Sequence, residues 1–337
     1  MNKTILLGHG SGGIMTGDLI RDLFVKNFNN PILDVLTDAA VAHIGDTTLA
    51  FTTDSFVVDP IFFPGGDIGK LAVCGTVNDL SVSGSRPLFL SSGFIIEEGF
   101  PLEELETIVR SMADEAFRTG VQIITGDTKV VKKGQCDKIF INTAGIGIIE
   151  KRHTHIARGN LIKPGDQIIV NGYLGDHEIA ILSAREHLSF EKPVISDVAP
   201  LNHLIWSLLE AGVEIRFMRD ITRGGLGTIA AEVAFSMHHG VLLDEQAIPV
   251  REEVAGLCEI YGFNPLFLAN EGKVLIIVAP ESAELALNLI QRFDIGKNAR
   301  IIGSVTADHP GKVIMKSVIG GMRIIDKMAG EQLPRIC

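Results

Sequence analysis

Cysteine is scarce in this sequence, and none of it is arranged in pairs. Cys74, Cys136, Cys258 and Cys337 are all there is in 337 residues, with no C-x-x-C among them. That spacing argues against a zinc site and against a disulfide framework. Long apolar runs are also missing, and none approaches the ~18 residues that a membrane span needs. The opening MNKTILLGHGSGG has one lysine and only a short apolar run, too little for a secretory signal. A cytoplasmic protein with no membrane partner is the expectation. Basic charge is short too: 30 Lys and Arg stand against 41 Asp and Glu, a formal net charge of −11. Such a surface disfavours nucleic acid as a partner, because phosphate backbones attract basic faces. A phosphate ligand held locally with a metal stays open.

What is present is an ordinary globular composition, 46% apolar and 21% charged, on a chain long enough for two domains. An amphipathic helix is expected around Leu19 to Phe28. Strands are expected at 47–54 and 87–97, and at VQIITGD and KIFINTAGIGIIE. Between them, Leu71, Cys74, Val77 and Leu80 recur on one face of a helix over 67–84. A further helix opens with Pro101 and acids and stops at Gly120. The basic stretch 151–166 reads as a domain boundary. Strands then fall at 167–172, 273–279, 300–306 and 312–316, with helices at 176–187, 199–211, 226–238, 250–261 and 281–292. Strands come in pairs as often as they alternate with helices, so the fold class is α+β in both domains. The tail beyond Gly330 shows no period and reads as extended and mobile, with Gly330 as hinge and Pro334 as stiffener.

Two glycine motifs tempt a nucleotide reading and fail it. GHGSGG satisfies G-x-G-x-x-G through Gly8, Gly10 and Gly13, but no clean strand with an acid at its tip follows the next helix. A glycine-rich lid is the better reading. PGGDIGKL has Pro64 where a Walker loop needs glycine and Leu71 where it needs a hydroxyl. The acids tell more. Asp38, Asp54, Asp79, Asp127 and Asp220 each sit where an element ends, beside small or hydroxyl residues. Any one alone is ordinarily a cap or a turn residue. Together, in an acidic chain, they suggest carboxylates gathered around magnesium and phosphates. TRGGLG, opening a helix, adds free amides and Arg223 as an anion clamp.

HGSGG, TTDSFVVDPIFFPGGDIGKLAVCGTVNDLSVSG, GDTKVV, INTAGIG, DITRGG, ANEGK and the terminal PRIC together resemble the HypE family, the carbamoyl dehydratases of [NiFe]-hydrogenase maturation. The resemblance covers essentially the whole chain. It places the protein in the aminoimidazole ribonucleotide synthetase-like (PurM-like) group and implies a two-domain fold with ATP chemistry. Residues 1–36 would then be a glycine-rich lid, 37–158 an ATP-binding and dimerisation domain, 159–330 a C-terminal α+β domain and 331–337 a flexible tail with the reactive cysteine. The implied reaction begins when the carbamoyltransferase HypF loads a carbamoyl group onto Cys337. ATP phosphorylates the carboxamide oxygen, loss of phosphate leaves a thiocyanate, and the cyanide passes to iron held by a HypC–HypD complex.

By the same resemblance Asp54, Asp79 and Asp220 are magnesium and ATP-phosphate ligands, with Asp38 and Asp127 as weaker candidates. Thr222 and Arg223 join Gly224 and Gly225 around the phosphates, Lys129 orients the carboxamide or neutralises the phosphoryl group, and Glu271 is the candidate base. A homodimer is implied. Arg335 is expected to favour the Cys337 thiolate and the terminal carboxylate to disfavour it. Two other readings stay open: a small-molecule phosphotransferase on the same fold, which would ignore the thiol, and a non-catalytic thiol carrier, which would not turn over ATP.

Overall fold

In the computed structural model, which describes residues 4–188, 191–328, 333 and 335–337, the first half of the chain is a sheet wrapped over one buried helix. The N-terminal segment is helical over α1 (Ile14–Leu19) and α2 (Lys26–Phe28), joined by the π-helical stretch Ile20–Val25. Strands β1 (Ala40–Ile44) and β2 (Thr47–Phe56) form an antiparallel pair. A short hairpin, β3 (Phe62–Phe63) and β4 (Gly66–Asp67), leads into α3 (Ile68–Val82). The carboxylate of Asp67 caps that helix by accepting the Gly69 and Lys70 amides at 2.7 and 3.2 Å. Then come β5 (Ser85–Glu97), α4 (Leu102–Thr119), β6 (Gln122–Val131) and β7 (Ile139–Ile149), giving the sheet order β1-β2-β7-β5-β6.

Leu71, Cys74, Val77 and Leu80 are all fully buried, as their spacing predicts. Burying each of the larger ones is worth about 1.5–3 kcal/mol. Almost every other side of α3 is buried too, because the helix packs on the sheet with one face and on the second half of the chain with the other. Asn78 of α3 makes that junction specific: its side chain donates to the Ala199 carbonyl at 3.1 Å and accepts the Leu201 amide at 2.8 Å.

The second half holds β8 (Gln167–Val170), α5 (Asp176–Arg185), α6 (Asn202–Glu210), β9 (Ile215–Asp220) and α7 (Gly225–Met237). It continues through β10 (Gly240–Asp244), α8 (Glu252–Tyr261), β11 (Val274–Val278) and α9 (Ala283–Ile290) to β12 (Arg300–Thr306), β13 (Val313–Lys316) and β14 (Met322–Ile325). Its seven-stranded sheet runs β14-β13-β10-β12-β8-β11-β9, antiparallel except between β10 and β13. The α+β class read from the strand pairing therefore holds in both halves. Among the described residues, no helix is long and apolar enough to cross a membrane.

Candidate active site

A cavity of about 790 Å³ opens between the halves, a size usual for a small-molecule site. Asp38 reaches it from ahead of β1, Asp54 from β2, Asp79 from α3, Asp220 from the end of β9 and Glu271 from the loop before β11. Thr222, Arg223 and Cys337 line it as well. The side chains arrive from both halves, which α3 joins by packing on α6 and β9.

The charges inside are unbalanced. Arg219 ion-pairs with Asp38 at 3.0 Å and with Glu232 at 2.9 Å, so Asp38 already has a cation of its own. Arg223 is the cation beside Asp54, Asp79 and Glu271, while Asp220 feels Arg219, whose charge Asp38 and Glu232 already share. Burial, and then the neighbouring carboxylates, push Asp79, Asp220 and Glu271 well above the usual carboxylate range. Burial also raises Asp54, against the pull of Arg223. The Thr52 hydroxyl sits between the Asp79 carboxylate at 2.8 Å and the Asp38 carbonyl at 2.9 Å, fixing where these two acids meet. Buried negative charge in this excess needs protons or a cation. Oxygen donors suit a hard divalent ion, yet no three such side chains converge as a ligand set among the described residues.

Two glycines shape the anion-facing wall. Gly225 has φ +62°, and a Cβ there would lie 2.5 Å from the Leu266 carbonyl oxygen, so only glycine lets α7 begin this close to the neighbouring loop. Gly224 precedes it at φ +82°, and the Gly225 amide closes the turn onto the Thr222 carbonyl at 3.0 Å. From the N-terminal segment, Gly12 at φ +80° lies against the Arg223 backbone, and Arg223 Nη1 donates to the Gly10 carbonyl at 3.0 Å. The glycine cluster thus packs over the arginine and forms one wall of the cavity.

The end of the chain lies inside. Ile336 and Cys337 are 7% and 8% exposed. The Val57 amide donates to the Cys337 carbonyl at 3.0 Å, and Arg185 Nη2 donates to that of Arg335 at 3.0 Å. The tail read as mobile is therefore docked over the residues described; its proposed hinge Gly330 and stiffener Pro334 lie outside them. Arg335, expected to favour the thiolate, is turned away: its guanidinium pairs with Asp137 and donates to the Val57 carbonyl. The cation beside the sulfur is Arg223 instead. Burial outweighs it and, with Glu271 and Asp54 adding to the rise, pushes the Cys337 thiol up to about 12.

Asp127 and Lys129 do not reach this cavity. They pair with each other at 2.6 Å on β6, the edge strand of the first sheet, with side chains two-thirds exposed. The outer face of that sheet is apolar and open, with Phe51, Ile95 and Ile148 each more than two-fifths exposed. Sequence reasoning missed Arg219, Glu232, Thr52 and Asn78. For Arg219 a signal was available, since an arginine in the apolar run before Asp220 must carry its own counter-ion.

Residues 36–149 match the AIR synthase related protein N-terminal domain family, and residues 163–316 match the corresponding C-terminal domain family. A carbamoyl dehydratase HypE of Rhodobacter capsulatus is 48% identical, covering 100% of this chain and 99% of that one.

The chain belongs to the HypE family.

Among solved structures, HypE in complex with ATP superposes with a TM-score of 0.83 at 48% identity, covering 99% of this chain and 100% of that one. A HypE–HypF complex gives 0.86 at 46% identity, covering 92% and 99%. Membership of the HypE family gives the buried C-terminal thiol a chemical context, because carbamoyl dehydratases act on a carboxamide.

Proposed function

We propose that this chain converts an S-carboxamide on Cys337 into a thiocyanate at the expense of ATP, supplying the cyanide ligand for the iron of [NiFe]-hydrogenase. The observation that carries it is the placing of the chain's last thiol, Cys337, beside Arg223 and Glu271 in the cavity that holds Asp54, Asp79 and Asp220. The balance is R–S–CO–NH2 plus ATP to R–S–C≡N plus ADP and phosphate. An amide oxygen is a poor leaving group, and the γ-phosphoryl turns it into a good one. Both nitrogen protons must leave. Glu271 Oε1 is buried with no hydrogen-bond partner among the described residues, so its carboxylate is free to take a proton. Arg223 holds its charge next to the developing phosphoryl oxygens. Magnesium, which offsets phosphate charge when bound, would be held by one or two of Asp54, Asp79 and Asp220 together with the phosphates, and the turn Thr222–Gly225 would receive a phosphate.

HypF is the proposed source of the carbamoyl group and a HypC–HypD complex the receiver of cyanide. A homodimer is proposed through the apolar outer face of the first sheet, since open patches of this kind mark association surfaces. In that assembly Asp127 and Lys129 stand at the rim, where a second copy's site can use them. Lys129→Ala should still accept the carbamoyl group but dehydrate it at least ~10-fold more slowly, the scale of a lost transition-state charge contact. Single-turnover dehydration at the wild-type rate would leave Lys129 as a surface partner of Asp127, worth less than about 1 kcal/mol.

Mass spectrometry of the Lys-C peptide 328–337 tests the whole reading. Incubation with the carbamoyltransferase should add one carbamoyl group, and magnesium–ATP should then remove one water. Addition without ATP-dependent loss would make the chain a thiol carrier, and ATP turnover indifferent to the thiol would make it a small-molecule phosphotransferase.

A further inference from the structure

The docked tail passes between the segment that follows β2, at Val57 and Asp59, and α5 of the second half, and α5 places a fully buried histidine against it. His177 Nε2 lies 2.9 Å from the Ile336 carbonyl oxygen, and Nδ1 lies 2.7 Å from Ser196 Oγ. The Ile336 oxygen can only accept, so Nε2 carries the proton. In the neutral ring Nδ1 then accepts from the Ser196 hydroxyl. That hydroxyl in turn accepts the Val198 amide at 3.1 Å. The result is a one-way chain of donors, from Val198 through Ser196 and His177 to the peptide carbonyl immediately ahead of Cys337. The Phe63 ring packs edge-on against the imidazole with centroids 5.4 Å apart, so the ring cannot swing aside. Nothing in the reaction proposed above uses this imidazole, and it is wholly buried.

We infer that His177 is a positioning residue: its Nε2 proton latches the Ile336 carbonyl and so holds the Cys337 sulfur in place against Arg223 and Glu271. Other tail contacts among the described residues come from the Val57 and Asp59 amides, from Arg185, which grips the Asp59 and Arg335 carbonyls together, and from the Arg335 side chain on Asp137 and the Val57 carbonyl. Those contacts fix the backbone on either side of Ile336, whereas His177 is the group that reaches the residue preceding the thiol. The inference rests on the proposed function only for its catalytic consequence. The geometric part stands without it.

The test measures alkylation of Cys337 by a small iodoacetamide reagent in the full chain, read on the Lys-C peptide 328–337, with Cys74 in the same samples as an internal control. Cys74 is fully buried in the first core, so its labelling reports global opening. His177→Ala should raise the Cys337 rate, relative to Cys74, about tenfold, the size expected for losing one buried hydrogen bond. His177→Gln, whose amide can reach the Nε2 position, should restore slow labelling. His177→Asn, which can reach only the Nδ1 position, should label like His177→Ala. With carbamoyl-loaded protein, the alanine and asparagine variants should lose single-turnover dehydration by a similar factor while loading is unchanged. Equal Cys337-to-Cys74 ratios in wild type and His177→Ala would overturn the latch. So would fast labelling of all three variants, which would assign the effect to ring packing, or a parallel rise at Cys74. If the labelling pattern holds but no variant or wild-type protein dehydrates a carboxamide, the latch stands and the proposed reaction falls.

Discussion

The Cys337→Ala protein takes up no carbamoyl group. A protein with a short polar extension after Cys337 takes it up but dehydrates it ~100-fold more slowly, the penalty expected when a reacting group is displaced by about an ångström or more. The two variants separate the sulfur from its position at the end of the chain. In the docked tail the sulfur projects into a cavity already crowded with Asp54, Asp220 and Glu271, and the Cys337 carbonyl is bonded to the Val57 amide. Further residues would have to enter that cavity, displacing phosphate, or leave past Val57 and break the bond. Loading is a different matter. The docked thiol is buried, at 8% exposure, which keeps a partner from it and raises its pKa, so loading is expected with the tail in another position, where an extension does no harm. Mass spectrometry of the 328–337 peptide in a single-turnover time course reads both steps. Dehydration at the wild-type rate in the extended protein would show that the terminal position is not required.

The sequence disclosed elements wherever one period dominated. The three-residue spacing in α3 and the acid-rich, glycine-stopped α4 were legible because each helix carries its own punctuation. Strand β9 was not, since Arg216 and Arg219 interrupt its apolar run. Arg216 pairs with its near neighbour Glu214 and with the remote Asp166, while Arg219 is held by Asp38 and Glu232, both far from it in the sequence. A charge cancelled by a distant partner leaves no local mark. For the same reason the acids could be suspected but not their counter-charge; only Asp220 closes an element as expected, whereas Asp54 lies within β2, Asp79 within α3 and Asp127 in the middle of β6. Asp127 looked equivalent to them by position. It lies on the edge strand β6, paired with Lys129 and turned to solvent, and position along the chain does not tell an edge strand from a central one.

Replacing Asp54, Asp79 or Asp220 by alanine should weaken magnesium–ATP binding by at least ~10-fold while leaving the fold intact or slightly more stable. The two effects share one cause. Each carboxylate is buried among like charges, which raises its pKa and makes its ionised form costly in the empty protein. The sign follows from linkage. A folded-state pKa above the unfolded value means the folded chain binds more protons, so stability is fullest below the unfolded pKa and falls as pH rises through the folded one. In metal-free protein the alanine variants should therefore gain on wild type as pH climbs from about 4 towards neutrality, and lose that advantage in acid. Magnesium–ATP should reverse the order. It binds only the folded wild type tightly, so it should raise the wild-type melting temperature and scarcely move the variants. Chelating the magnesium should erase that rise. Isothermal titration and thermal melting across pH, with and without the nucleotide, give both readouts on one set of proteins. Wild-type affinity in all three variants would remove these carboxylates from the nucleotide site, and a loss of metal-free stability at neutral pH would mean that their charges are compensated within the fold.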